Sequence, residues 1–278
     1  VVIPAPYWVS YPDMALLADA EPVIIPAGPE LGFRITPAQL QRAITPRTRV
    51  LVLNSPSNPT GAVYDEAQLT ALAEVLLRHP RVVVLTDDLY EHIRWVDEPF
   101  KNILNVCPAL ADRTLVVNGV SKAYAMTGWR IGYAAGPAAL VRAMVKVQGQ
   151  STSGPCSVSQ AAAVAALEGG LDCVRTMCRA FKERHDFIVP ALDSLPGVAC
   201  EPNGGAFYAF ADFREAIASL QGIEDDIGLC ERLIEHAGVA VVPGSAFGAP
   251  GHVRLSYASS IEVLTEALER IRGVLSRG

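Results

Sequence analysis

The chain is predicted to be an α/β protein: a three-layer α/β/α large domain with a mostly parallel sheet, followed by a smaller C-terminal α+β domain. Three observations predict this. Short apolar or β-branched runs alternate with helical patterns through the first half, as expected of helices layered on a mostly parallel sheet. The second half changes to long helices and then a separate set of strands. Half of the 278 residues are hydrophobic, which allows a substantial core.

In chain order, strands are predicted at Pro22 to Ile25, Arg49 to Leu53, Val82 to Thr86, Thr114 to Asn118 and Ile131 to Ala135, each closed by turn residues. Helices are predicted between them at Pro12 to Ala20, Pro37 to Ala43, Asp65 to Arg78 and Pro137 to Gly149. Asp65 reads as an N-cap, because its short carboxylate can accept from an otherwise unpaired amide of the first turn. Ala161 to Leu167 and Cys173 to Leu192 read as helices, and Pro196-Gly197 then breaks the chain. Beyond that break, strands are expected at Ala206 to Ala211, Val239 to Val242 and Val253 to Tyr257. Helices are expected at Asp225 to Ala237 and Ile261 to Leu275. The domains are set at residues 1–189 and 190–278. Val1-Val2-Ile3 runs straight into Pro4 and Pro6 like a strand cut into, so an N-terminal truncation is expected.

The net charge of -6 comes without a basic run or stripe, so nucleic acid is not an expected partner. Apolar runs such as Val82 to Leu85 are far too short to span a bilayer. The six cysteines are scattered without a Cys-x-x-Cys pair, which fits reduced thiols of a cytoplasmic protein. None of the five histidines has metal-like spacing, so no metal site is expected.

Ligands in open α/β sheets sit at the carboxyl ends of strands, and four such places carry chemistry. NSPSNPTG (Asn54 to Gly61) has two X-Pro pairs and a closing glycine, a turn that can aim Asn58 outward. DDLYEH puts Asp87 and Asp88 directly after an apolar strand, with Tyr90 on the same side as Asp87. A carboxylate there is either partly desolvated or helix-capping. Ser121-Lys122 follows the fourth strand, with Arg130 eight positions on, and Arg254 interrupts an apolar strand, where burial demands an anionic partner. Together these are an amine, a carboxylate, a phenol, an amide and two guanidinium groups. Pyridoxal 5'-phosphate needs that set: an amine to condense with its aldehyde, a carboxylate for its ring nitrogen, donors to its phenolic oxygen and a cation for its phosphate. A forked arginine for the carboxylate of an amino-acid substrate completes it.

PYW (Pro6 to Trp8), NSPSNPTGAVY (Asn54 to Tyr64), DDLYEH (Asp87 to His92), SKAYAMTGWRIGY (Ser121 to Tyr133), GAFY (Gly205 to Tyr208) and HVRLSYA (His252 to Ala258) occur in that order. The chain thereby resembles the fold-type I, class I/II pyridoxal-phosphate aminotransferases, the bacterial aspartate aminotransferase branch in particular. The resemblance implies that Lys122 binds the cofactor aldehyde and shuttles the substrate Cα proton, that Asp87 pairs with the ring nitrogen, and that Tyr90 and Asn58 bond the ring oxygen. It implies that Trp8 stacks on the ring, that Arg130 binds the phosphate with Ser121 beside it, and that Arg254, with Asn58, grips the substrate carboxylate. It also implies transamination between L-aspartate and 2-oxoglutarate and a homodimer. Aromatic, alanine or prephenate substrates, or a related lyase, are the alternatives. The chain departs from the family at Gly119, where many members carry a phosphate-binding serine. A sizeable portion that the family carries before PYW is also missing, and with it a phosphate-cupping helix start. Trp129 is assigned to packing, and Phe207, Tyr208 and Phe247 to either core or pocket.

Overall fold

A computed structural model describes residues 1–276. Its larger sheet has six strands in the order β2-β1-β3-β4-β5-β6. These are β1 (Val2–Ala5), β2 (Val23–Pro26), β3 (Val50–Asn54), β4 (Val83–Asp87), β5 (Thr114–Gly119) and β6 (Gly132–Ala135). Neighbours pair in parallel up to β5, and only β6 runs antiparallel. The sheet is therefore mostly parallel, as the sequence predicts, and Val2 and Ile3 belong to β1, an inner strand next to the edge strand β2.

Successive side chains of a strand face opposite sides. Val2, Leu51, Leu53 and Val84 enter one core together with Leu40, Leu72, Leu76, Ile103 and Leu110, while Ile3 and Val52 face the other side with Tyr11. Helices α2 (Pro37–Ala43), α3 (Glu66–Leu77) and α4 (Ile103–Val106) supply the first layer. Helix α1 (Ser10–Leu17) supplies the second. Asp65 caps α3 as expected: its side chain accepts from the Gln68 amide at 2.7 Å, and Gln68 reaches back to the Asp65 amide at 3.1 Å. Helix α4 went unpredicted because four residues are too few to show a period; the Asn102 side chain, accepting from Leu104 and Asn105, holds it instead.

Three further helices, α5 (Ala138–Ser151), α6 (Ser157–Glu168) and α7 (Asp172–Asp193), lead to the second sheet. That sheet is antiparallel, in the order β7-β9-β8, with β7 (Tyr208–Asp212), β8 (Val242–Pro243) and β9 (His252–Ser256). Helices α8 (Arg214–Ser219), α9 (Asp226–Ala237) and α10 (Ile261–Leu275) complete it. The strand expected over Val239 to Val242 reduces to the two residues of β8, because Val239 instead bonds the end of α9 through the Leu233 carbonyl.

The boundary expected at residues 189 and 190 falls inside α7, which runs through Pro190 unbroken. A proline inside a helix costs a hydrogen bond. Here Phe181, Ile188, Val189 and Leu192 are buried in the second core on both sides of it, so packing outweighs that loss. The last two residues of the second domain lie outside the described residues. Among the described residues, no helix is long and apolar enough to cross a membrane.

Candidate active site

The parallel register brings the predicted chemistry together. Asn54 pairs with Asp87 across β3 and β4, and Asp87 with Val117 across β4 and β5, so three strands end side by side. β5 and β6 close with Gly119 opposite Gly132. Lys122 and Arg130 therefore sit in the one connection between these antiparallel strands, which accounts for the eight-residue spacing. A cavity of about 200 Å³ opens there. Trp8, Asn58, Asp87, Tyr90, Ser121, Lys122 and Arg130 all line it.

Asp87 ends β4 at the cavity wall, and its carboxylate accepts from the Tyr11 hydroxyl at 2.5 Å and from the Leu89 amide at 3.2 Å. Burial pushes its carboxyl above the usual range, against the lowering effect of those two hydrogen bonds. Asp88 turns away from the cavity: it is 2% exposed, accepts from Thr86 and Asn102, and is pushed up to about 6, chiefly by burial. The alternative left open for this pair, helix capping, does not apply to Asp87, because no helix begins there.

Burial also lowers the Lys122 amine, and the nearby Arg254 and Arg130 guanidinium groups lower it further. Arg130 is exposed, in the left-handed region at φ 57°, and donates to the Thr127 carbonyl at 3.0 Å. Thr127 in turn donates to the Ser121 carbonyl at 3.0 Å, tying the two predicted phosphate-side residues into one loop.

Asn58 is held by its own amide, which donates to the Asn54 side chain at 2.9 Å. Its loop depends on glycine: at Gly61, φ is 68° and a Cβ would meet the Gly205 carbonyl at 2.4 Å. That close approach brings the GAFY segment of the second unit against the first. Arg254 does not line the cavity itself. From β9 its guanidinium donates to Asn58 Oδ1 at 2.9 Å and lies between the Tyr208 ring at 4.5 Å and the Phe247 ring at 4.8 Å. Its Nε has no partner, and no carboxylate among the described residues pairs with it.

Tyr11 is a site residue that sequence reasoning missed. Tyr11 lies in the first turn of α1 and Trp8 just ahead of that helix, and their rings meet edge to face at 5.4 Å. Trp129, assigned to packing, is 44% exposed, because the short turn Thr127–Trp129 points it away from both cores. Tyr208 and Phe247 are core residues, 6% and 1% exposed, rather than cavity lining. Among the described residues no group of three or more His, Cys, Asp or Glu is arranged to hold a metal.

Residues 1–271 match the family model described as aminotransferase class I and II. The aspartate/prephenate aminotransferase of Nitrosomonas europaea is 54% identical over 99% of this chain and 71% of its own length. The solved aspartate aminotransferase of Rhizobium meliloti is 49% identical, with a TM-score of 0.94 over 99% of this chain and 70% of that one. The aromatic aminotransferase of Pyrococcus horikoshii is 36% identical, with a TM-score of 0.92 over 99% of this chain and 73% of that one.

Proposed function

The chain belongs to the class I and II aminotransferases, and on that premise we propose that it moves the amino group of L-aspartate to 2-oxoglutarate with pyridoxal 5'-phosphate as cofactor, giving oxaloacetate and L-glutamate. One observation carries the cofactor reading. Asp87 is a partly buried, largely desolvated carboxylate at the wall of a cavity that also receives Lys122; it accepts from Tyr11 and Leu89, and no cation among the described residues forms an ion pair with it. A desolvated charge without a counter-ion is costly, so the donor set fits a ligand that brings a cationic ring nitrogen to Asp87 and an aldehyde to Lys122.

Bound there, pyridoxal phosphate supplies a carbonyl that takes up the amino nitrogen and a ring that accepts the electron pair released at the substrate Cα. The residues of this chain do the rest. Asp87 would hold a proton at the ring nitrogen, and Tyr11, donating to it, would keep that carboxylate oriented. Tyr90 and Asn58 would bind the ring oxygen, Trp8 would cover the ring face, and Arg130 with Ser121 would bind the phosphate. Lys122 Nζ would take the proton from the substrate Cα, a role that its lowered basicity favours. Arg254, lacking an anion of its own, would bind the substrate carboxylate. We also propose a homodimer, as expected of the family.

The name of the Nitrosomonas relative supports a second reading, in which prephenate also accepts the amino group. A panel of aspartate, alanine, tyrosine and prephenate, each assayed with its partner, tests both readings, with Lys122→Ala as the control expected to lack turnover. Aspartate with 2-oxoglutarate is expected to give the highest kcat/KM. Faster alanine or tyrosine transamination would overturn the aspartate reading, and normal turnover by Lys122→Ala would overturn the site.

A further inference from the structure

Tyr208 lies outside the cavity lining, yet it touches two of the residues assigned to the chemistry. It is 6% exposed and opens β7, opposite Ser256 of β9, so Arg254 is its diagonal neighbour on the same face of the sheet. Its ring lies 4.5 Å from the Arg254 guanidinium carbon, and its hydroxyl lies 2.9 Å from the Tyr90 hydroxyl. Tyr90 is itself buried, 3% exposed, but lines the cavity.

Two phenols that share one hydrogen bond have two arrangements. Either Tyr90 donates to Tyr208, which leaves only its oxygen lone pairs for the cavity, or Tyr208 donates to Tyr90, which leaves the Tyr90 hydrogen free for a ligand. A buried hydroxyl without a partner is costly, and among the described residues Tyr90 is the one hydrogen-bond partner of the Tyr208 hydroxyl. A ligand oxygen bearing negative charge beside Tyr90 selects the second arrangement, and each bond then polarises the other.

We propose that Tyr208 is a positioning residue with two separable parts: its hydroxyl donates to Tyr90 and so turns Tyr90 into a donor toward the cavity, while its ring seats Arg254. This rests on the reading that the cavity holds pyridoxal phosphate with its ring oxygen at Tyr90. The two parts come apart chemically, because phenylalanine keeps the ring and loses only the hydroxyl.

The test uses the whole chain loaded with pyridoxal phosphate, and it reads the pH midpoint of the bound cofactor's visible absorbance and the dissociation constant of maleate as a carboxylate probe. A donor to a negatively charged ring oxygen draws off charge and weakens that oxygen's hold on neighbouring protons. Tyr208→Phe should therefore raise the midpoint by about half a pH unit or more, since even that is a measurable difference between protonation states. Maleate affinity in that variant should stay within about twofold. Tyr208→Leu should show the raised midpoint and, having lost the ring beneath Arg254, bind maleate about tenfold more weakly. An unchanged midpoint in a cofactor-loaded Tyr208→Phe overturns the hydroxyl assignment, and undiminished maleate binding in Tyr208→Leu overturns the ring assignment. Should the leucine variant fail to fold, Tyr208→Met, which also removes the ring, takes its place in the maleate measurement, and undiminished binding there overturns the ring assignment. A wild-type chain that shows no bound-cofactor absorbance refutes the underlying reading of the cavity, a result distinct from either of these.

Discussion

Arg254 shows how one residue is readable by its chemistry before its contacts are known. A guanidinium in an apolar strand must find compensation, and it finds it in part: Asn58 Oδ1 and the faces of Tyr208 and Phe247, but no carboxylate among the described residues. Its fork remains available to a substrate carboxylate. Arg254→Lys replaces two directed donors with a point charge, so amino-acid binding should weaken by roughly ten- to a hundredfold, the worth of one charge-assisted fork. Pyridoxal-phosphate affinity should stay unchanged. Titrations of aspartate and of cofactor against the variant separate the two: lost cofactor binding with retained aspartate binding would assign Arg254 to the phosphate. The residue types of the site were legible because a lysine, an aspartate and an arginine at strand ends are rare without a purpose. Tyr11 was not named and Tyr208 was left between core and pocket, since a tyrosine is ordinary core material and only its hydroxyl partner reveals more. The exposure of Trp129 escaped notice because nothing in TGWR says which way a three-residue turn faces.

At the scale of elements, the long periodic segments were legible nearly to the residue, while those ruled by tertiary contact were not. Ile261–Leu275 folds as predicted because its apolar period is complete and Ser260 caps it. α8 and α4 are too short for a period, and β8 is cut to two residues by competition from the end of α9. The boundary at residue 190 falls inside a helix that was itself predicted through Pro190, over Cys173 to Leu192, and burial of Ile188, Val189 and Leu192 shows that this helix packs in the second core. We therefore propose that the two units divide before α7. The end of β4 offers a test of burial as such. Asp88 is almost wholly buried between Thr86 and Asn102, with the carboxylates of Asp87 and Glu91 nearby, and its carboxyl is raised from 3.8 to about 6. The folded chain thus binds a proton there that the unfolded chain has lost. The stability from this group is full below about pH 4 and is lost as the pH rises through about 6, by at most about 3 kcal/mol. Asp88→Asn cannot titrate, so the stability of wild type minus variant, from urea unfolding at pH 4 to 7, should fall across that window. A flat difference would show that Asp88 is ionised in the fold throughout.

At the scale of the whole molecule, two cores meet at the site. Asn58 belongs to a loop of the parallel sheet and Arg254 to the antiparallel one, and their hydrogen bond joins residues 196 positions apart. A third feature of the molecule lies away from that junction. None of the 14 residues of α5 is buried, Val145 and Val147 are 63% and 71% exposed, and Val158 and Val164 of α6 are 67% and 52% exposed. A helix of that length is marginal in water unless a face of it is packed, so α5 as it stands lacks the main source of helical stability. The portion that the Nitrosomonas relative carries beyond the 71% of its length matched here, or a second copy of the chain, would supply it when packed on this surface, and we propose the second copy in line with the homodimer. Met144 and Val147 are three apart and share one face of α5. Replacing both with aspartate should cost the dimer its apolar contact and add two charges where they would be desolvated. Sedimentation at micromolar concentration should then show wild-type chains as dimers and the double variant as monomers, with faster amide exchange along α5. A wild-type monomer whose α5 amides are nonetheless protected would mean that the helix is stable without a partner, and the dimer proposal would fall.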